Sequence, residues 1–201
     1  LSSPSVLIIL AAAVAAIGLS GLAAWYQIKG GQQSAGIDST VVAPPVRIGG
    51  PFELLNHEGK TVSEQDFSGQ FMLSYFGYSY CPDVCPTDLQ IIGAAMLDLE
   101  ERNPEAAKRI TPVFFTVDPA RDTAEVMGEY VENFHPRMVG LTGSAEQVKK
   151  AAKAYRVFYK LNDPDEDGDY LVDHSAFVYF MGPDGGYRNM FRHNSDPAEM
   201  S

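Results

Sequence analysis

The sequence is short of basic residues, of cysteine and of histidine. It has 15 Lys and Arg residues against 26 Asp and Glu residues, two Cys and four His, and its formal net charge is −11. Because a charge of this sign repels phosphate backbones, nucleic-acid binding is disfavoured. Disorder is excluded for most of the chain, since 45% of the 201 residues are hydrophobic and 11% are aromatic. The composition therefore indicates a globular protein that does not act on nucleic acid.

Charge is missing from the start of the chain. No charged residue occurs before Lys29, and residues 6–26 are apolar or small. As a helix this stretch would extend about 30 Å, the thickness of the hydrocarbon core of a membrane, and Trp25 and Tyr26 suit the interface. We predict one transmembrane anchor over residues 6–26. The alternative is a cleaved secretory signal ending near residues 22–24, but the apolar run is longer than the usual core of about 7–15 residues.

The rest of the chain divides into a tether and one domain. Residues 27–51 are rich in Gly, Gln, Ser and Pro and predict a flexible linker. Residues 52–201 are enough for one domain with a hydrophobic core. Because the chain opens with Leu1, we expect residues 1–5 to be the remnant of a longer N-terminus. Residues 195–199 have the pattern of a helix start, so we expect a C-terminal helix to be truncated.

Hydrophobic patterns within the domain predict alternating strands and helices. Ser144 and Gln147 form a capping pattern that marks a helix start, and the sequence PDGG at residues 183–186 marks a hairpin turn. The order of elements is typical of an α/β fold, a central sheet with helices on its faces. After an opening hairpin at 52–62, the predicted strands cover residues 71–77, 110–117, 138–141, 176–181 and 187–191, and the predicted helices cover about 89–103, 122–134 and 144–155.

The two cysteines are the main chemical signal in the sequence. Cys81 and Cys85 follow the apolar strand at 71–77 and lie at the entry to a predicted helix. Residues four apart share a helix face, so both sulfurs can point at one spot. A helix N-terminus stabilises thiolates, which act as nucleophiles and as metal ligands. A soft-metal site or a redox dithiol is therefore favoured over a structural disulfide, because so small a loop constrains the unfolded chain little.

A protected copper site with two thiolates would need a third ligand, and the four histidines are the candidates. His57 lies in a predicted turn and His135 at the end of a predicted helix, where we expect solvated or capping groups. His193, after the last strand, is a weak candidate. His174 lies at the foot of the predicted strand 176–181, whose end meets the sheet edge of the cysteine loop. Two thiolates and one imidazole suit Cu(I), although Zn(II) is an alternative.

Two other patterns have ordinary explanations. Residues 163–169 resemble the first half of a calcium loop, but position 12 would be His174 instead of the bidentate Glu, so we expect a solvated acidic loop. The seven methionines are scattered, and Met72, Met96 and Met181 fall on predicted core faces. We interpret them as core-filling residues.

Five sequence blocks form a recognisable series: YFGYSYCPDVCP at 75–86, VDPARDT at 117–123, GLTG at 140–143, AYRV at 154–157 and DGDYLVDHS at 167–175. In this order, and from about residue 52 to the end of the chain, they resemble the SCO/SenC family of copper-binding assembly factors. This resemblance implies a thioredoxin-like fold and an N-terminal membrane anchor. It also implies that the domain lies in the bacterial periplasm or the mitochondrial intermembrane space, and the acidic composition favours the periplasm.

The resemblance also implies a function and a ligand set. The copper ligands of the family fall on Cys81, Cys85 and His174, for one Cu(I) or Cu(II) ion per domain. Family members deliver copper to the CuA centre of cytochrome c oxidase subunit II, so subunit II and an upstream copper donor are the implied partners. Transfer is therefore expected instead of catalytic turnover.

Other functions remain open at this stage. A thiol-disulfide oxidoreductase would use Cys81 and Cys85 as a redox dithiol that keeps the CuA-site cysteines reduced. A membrane-tethered redox sensor and a peroxiredoxin-like peroxidase are weaker alternatives. The sequence also departs from the family pattern in two places, with Tyr80 where many members have His, and Arg192 and His193 where a Gly-Gln pair is common. Neither departure changes the three ligands.

Overall fold

Two apolar segments form the centre of the sheet. In the computed structural model, which describes residue 25 and residues 47–201, these segments are the strands β3 (Phe71–Gly77) and β4 (Ile110–Thr116). They pair in parallel, with Phe71 opposite Ile110 and Gly77 opposite Thr116. Nearly every residue of both strands is buried, as expected for continuous apolar runs covered on both faces.

Seven strands and four helices build a mixed α/β domain, and two further strands pair separately. The sheet order is β2-β1-β5-β4-β3-β8-β9, in which β3, β4 and β5 are parallel and the other neighbours are antiparallel. The remaining strands are β1 (Glu53–Asn56), β2 (Thr61–Ser63), β5 (Val139–Thr142), β6 (Tyr159–Leu161), β7 (Val172–His174), β8 (Phe177–Met181) and β9 (Tyr187–Arg192). The helices are α1 (Val84–Arg102), α2 (Pro104–Ala107), α3 (Ala124–Val131) and α4 (Ala145–Ala154), with 3₁₀ turns at Glu64–Phe67 and Pro197–Glu199.

Aromatic side chains fill the core on one face of the sheet. Phe76 and Phe115, from adjacent strands, stack with their ring centroids 4.5 Å apart. Tyr155, which follows α4, packs 5.1 Å and 5.4 Å from these two rings. All three side chains are at most 1% exposed. Burial of such rings is a large hydrophobic contribution, and it holds α4 against the sheet.

Helix α1 carries Cys85 in its first turn and lies against the segment that follows α3. At Gly93 the two backbones approach so closely that a Cβ atom would lie 2.4 Å from the carbonyl oxygen of Phe134. Only glycine fits such a contact without a shift of the backbone. Gly93 therefore fixes the depth at which α1 packs.

Most elements agree with the sequence prediction. The strand at 71–77 has the predicted bounds, and the opening hairpin, the hairpin at residues 183–186 and the capping box at Ser144 are confirmed. The paired strands β6 and β7 were not predicted. His174 is the last residue of β7 and lies three residues before the first residue of β8. At the C-terminus, the predicted helix start is a 3₁₀ turn at Pro197–Glu199, capped by Asp196.

The predicted anchor at residues 6–26, apart from Trp25, and residues 27–46 of the predicted linker lie outside the described residues. Within residues 47–201, no helix has the length and apolar character needed to span a membrane. Residues 47–51, the last part of the predicted linker, contact the domain, since the Gly49 N–H donates to the Ala154 carbonyl at 3.0 Å.

We predict opposite effects for the same substitution at two helical glycines. Gly93→Ala is expected to lower the free energy of unfolding by about 1–3 kcal/mol, because the added methyl group meets backbone. Gly128→Ala, in α3, is expected to raise it by about 0.5–1 kcal/mol, because the nearest atom to the new Cβ is 3.8 Å away and alanine favours helix. Urea unfolding of both variants tests this, and a Gly93→Ala variant as stable as the parent would contradict the packing described.

Candidate metal centre

Three side chains from separate segments meet at one end of the sheet. Cys81 lies in the loop after β3, Cys85 in the first turn of α1, and His174 at the end of β7. Their potential ligand atoms all lie within 4.8 Å of one another, and Cys85 Sγ is 3.2 Å from His174 Nε2. Among residues 47–201 this is the one group of three or more Cys, His, Asp or Glu side chains that is spaced to hold a shared metal ion.

The end of β3 leaves space for the sulfur of Cys85. Cys85 is fully buried, whereas Cys81 is 9% exposed and forms the outer side of the group. A Cβ atom on Gly77 would lie 2.6 Å from Cys85 Sγ and 3.1 Å from the rings of Tyr75 and Phe114. The missing side chain at Gly77 is therefore what allows the Cys85 thiol to sit beneath the loop and face His174.

Two tyrosines and a carbonyl group fix the orientation of His174. The rings of Tyr75 and Tyr78 meet the imidazole edge-to-face, with centroids 6.2 Å and 5.9 Å away. His174 Nδ1 lies 3.2 Å from the carbonyl oxygen of Ser175, which can only accept a hydrogen bond. We therefore assign the ring proton to Nδ1. This leaves the Nε2 lone pair directed at the thiols, as a metal ligand requires.

The two thiols are electrostatically unequal. A hydrogen bond from Cys85 holds the pKa of Cys81 well below its usual range. Burial opposes this shift, and the backbone amides of Asp83 and Cys85 support it. Burial, followed by the neighbouring Cys81 sulfur, raises the pKa of Cys85. Without a metal, the pair therefore carries one thiolate, on the outer sulfur, and one buried thiol.

A buried carboxylate holds the start of the cysteine loop to the sheet. Asp122 is fully buried, and it accepts hydrogen bonds from the Ser79 N–H at 3.2 Å and from the Thr116 hydroxyl at 2.5 Å. The Ser79 hydroxyl also donates to this carboxylate. Burial raises the pKa of Asp122. These bonds connect the loop that carries Cys81 to the end of β4.

Arg121 connects the two loops that carry the ligands. Its Nε donates to Asp118 at 2.5 Å, and the Tyr170 hydroxyl donates to the same carboxylate at 2.8 Å. The guanidinium group lies 3.7 Å from the ring centroid of Tyr170 and 4.8 Å from that of Tyr80. Tyr80 precedes Cys81 and Tyr170 precedes β7, so this stack ties the cysteine loop to the histidine loop.

The other three histidines lie elsewhere. His57 Nδ1 and His135 Nδ1 accept hydrogen bonds from the backbone N–H groups of Gly140, in β5, and Arg137. His135 is only 2% exposed, however, so a solvated His135 is wrong. His193 Nδ1 lies 2.9 Å from the carboxylate of buried Asp88 and is not part of the metal-spaced group.

The sequence analysis selected the three candidate ligands but missed the residues that position them. Gly77, Tyr78, Asp122 and Tyr170 all fall within the sequence blocks that carry the family resemblance. Their presence in these blocks was the signal in the sequence that could have marked them as part of the site. It did not reveal that Asp122 is buried under the cysteine loop, or that Tyr170 stacks on Arg121, because both contacts join segments more than 40 residues apart.

Comparison with known proteins gives consistent matches. The SCO1/SenC family profile matches residues 42–201. The human mitochondrial SCO2 homolog is 43% identical over 152 residues, which cover 76% of this chain and 56% of that protein. The chain spans about half the length of the curated relatives it matches.

Solved structures match as well. The copper-bound ScoI of Arabidopsis thaliana is 42% identical with a TM-score of 0.71, and the match covers 76% of this chain and 92% of that one. Copper-bound yeast Sco1 is 39% identical with a TM-score of 0.69, covering 76% and 83%. These matches confirm the mixed α/β fold implied by the sequence.

The opposite pKa shifts of Cys81 and Cys85 predict how the alkylation rate of Cys81 depends on pH. In the metal-free, reduced protein, the rate of modification of Cys81 by iodoacetamide is expected to stay nearly constant between pH 5.5 and pH 8. An ordinary thiol with a pKa of about 8.5 would accelerate roughly 200-fold over that interval. Mass spectrometry of the modified peptide measures the rate at each cysteine.

Cys85→Ala serves as the control for this measurement. The substitution removes the main hydrogen bond to the Cys81 thiolate, so the pKa of Cys81 is expected to rise and the pH dependence to return. A rate in the parent protein that increases about tenfold per pH unit would contradict a thiolate at Cys81.

Proposed function

This chain belongs to the SCO1/SenC family, and from that premise we propose that it binds one copper ion and delivers it to the CuA centre of cytochrome c oxidase subunit II. Cys81, Cys85 and His174 are the proposed ligands. The observation that carries the proposal is their convergence, because the cysteine pair and a histidine 89 residues after Cys85 present two sulfurs and one ring nitrogen within 4.8 Å. The copper-bound states of the Arabidopsis and yeast relatives support it.

The donor set suits Cu(I). Two thiolates and an imidazole are soft ligands, and a group with three ligands leaves room for an incoming fourth. When copper binds, the buried Cys85 must lose its proton, which the low-polarity surroundings otherwise retain. Copper then moves without electron transfer, by stepwise exchange of its ligands for thiolates of the acceptor. Cys81, on the exposed side, is the sulfur that an acceptor reaches first.

The predicted anchor and tether fit such a role. A tethered donor has a high effective concentration near an acceptor in the same membrane. We propose a single-pass membrane protein whose domain lies in the bacterial periplasm or, as for the relatives named mitochondrial, in the mitochondrial intermembrane space. An upstream copper donor and subunit II are the proposed partners.

Thiol reduction is the second candidate function, and the low pKa of Cys81 favours it. In that reaction the Cys81 thiolate attacks a disulfide of the acceptor, and a mixed disulfide forms while one acceptor thiolate leaves. The Cys85 thiol then loses its proton and displaces the second acceptor thiolate. The chain ends with a Cys81–Cys85 disulfide, and the acceptor gains two electrons. The proton from Cys85 and a second proton from solvent convert the two acceptor thiolates to thiols.

Anaerobic titration followed by transfer separates the two functions. The reduced chain is titrated with Cu(I), then mixed anaerobically with copper-free subunit II, in its reduced form and, in a parallel sample, in its disulfide form. The two proteins are separated and the copper content of each is measured. The visible spectrum of CuA is recorded after one-electron oxidation of the loaded acceptor with ferricyanide, because an all-Cu(I) centre is colourless. One equivalent bound and then transferred is the expected result. Reduction of an oxidised acceptor, with copper retained or never bound, would favour the reductase function and contradict delivery.

Replacing two histidines tests the ligand set. His174→Ala is expected to weaken Cu(I) binding at least tenfold, because it removes the nitrogen ligand from the group. His193→Ala is the matched control, since His193 is partly exposed, lies outside the group and is expected to leave the affinity unchanged. Competition with a Cu(I) chelator measures both affinities. Equal affinities of His174→Ala and the parent protein would exclude His174 as a ligand.

A further inference from the structure

A cluster of cations lies where the described chain enters the domain. Arg47, Lys150, Lys153 and Arg156 line a groove of about 330 Å³ together with the backbone of residues 49–51. We call this the basic groove. It is formed by the entering chain on one side and by the C-terminal half of α4 and the segment after it on the other. It contains none of the three proposed copper ligands.

The basic groove contrasts with the charge of the whole chain. The sequence carries 26 acidic and 15 basic residues, yet residues 145–160 contain five Lys or Arg and one Glu. The four cations of the groove are exposed, and Lys149 beside them is also exposed. The ion pairs of the described residues involve other cations, such as Lys60 with Glu58 and Lys108 with Glu105. The charges of the groove therefore remain available to an external anion.

Backbone contacts hold the two sides of the groove together. The Gly49 N–H donates to the carbonyl of Ala154 at 3.0 Å, and Arg156 Nε lies 3.5 Å from the carbonyl of Arg47. Lys153 lies in the last turn of α4, where a cation stabilises the helix C-terminus. Arg47 and Arg156 are outside the helix, so their positions have no such explanation. The convergence of four cations therefore calls for a ligand.

We propose that the basic groove binds anionic phospholipid headgroups and docks the domain on the membrane. The proposal rests on the predicted anchor at residues 6–26 and is independent of the copper function. Arg47 follows the end of the predicted anchor by 21 residues, so whatever the conformation between them it lies within about 75 Å of that end. Electrostatic attraction to anionic lipid acts over about one Debye length, and exposed cations are suited to it.

The lipid surface is favoured over other anions. The net charge of −11 opposes nucleic acid and an anionic membrane alike, but the predicted anchor would keep the groove near a membrane at a high effective concentration, and nothing comparable favours nucleic acid. A free anion such as phosphate is bound best by enclosed donors, whereas these four side chains are exposed and spread along an open groove. Docking through the groove would restrict the orientation of the tethered domain relative to the membrane.

Lysine labelling of the full chain in nanodiscs tests the proposal. One set of discs contains phosphatidylcholine alone and the other contains 30% phosphatidylglycerol. An amine-acetylating reagent is applied, and mass spectrometry gives the rate at each lysine. Anionic lipid is expected to slow labelling of Lys150 and Lys153 at least threefold, and 0.5 M salt is expected to restore it. Lys60 and Lys108 are internal controls whose rates should not change.

Charge-reversed variants complete the experiment. In Lys150→Glu/Lys153→Glu, protection of Lys149 by anionic lipid is expected to be lost, whereas the matched exposed pair Lys60→Glu/Lys108→Glu should retain it. Equal labelling in both lipids, or a chain that does not stay with the discs, would overturn the proposal. Equal protection by inorganic phosphate in phosphatidylcholine discs, or protection only by an acidic partner protein, would also overturn it. Copper titration of the same samples reports separately on the proposed function.

Discussion

The close contact between Gly77 and Cys85 is the constraint on which the candidate metal centre depends. Strand β3 must end without a side chain so that the first turn of α1 can place a sulfur directly over it. Tyr75, two residues earlier on β3, then has its ring beside the imidazole of His174. The strand therefore serves as the floor of the site. The buried Asp122 bonds and the Arg121 stack hold the loops above that floor.

Local patterns in the sequence were enough to predict the central elements. The run of apolar residues at 71–77 and the two cysteines after it define a strand, a loop and a helix without reference to the rest of the chain. Position in the sequence favoured His174 among the four histidines but did not establish it as a ligand, because its placement depends on pairing between Tyr159 and His174 in strands of only three residues. Such strands carry no detectable periodicity. The family resemblance, which compares whole blocks, supplied what periodicity could not.

The proposed copper site and the basic groove are formed by separate sets of residues. The proposed copper ligands combine a stabilised thiolate with a buried thiol, so the site holds a proton that copper can displace. Four exposed cations that form no ion pair among the described residues, Arg47, Lys150, Lys153 and Arg156, line the basic groove. A domain organised in this way would keep its membrane contact and its metal chemistry on separate sets of residues. Substitutions in the basic groove would then change the membrane contact and leave copper binding intact, and substitutions of the copper ligands would do the reverse.

X-ray absorption at the copper edge is the most direct measurement of the central claim, that Cys81, Cys85 and His174 together bind copper. The protein is loaded anaerobically with one equivalent of Cu(I). The account predicts a first shell of two sulfur atoms and one imidazole nitrogen, with one sulfur lost in Cys85→Ser and the nitrogen lost in His174→Ala. A shell of two sulfurs alone, unchanged by His174→Ala, would contradict the three-ligand site.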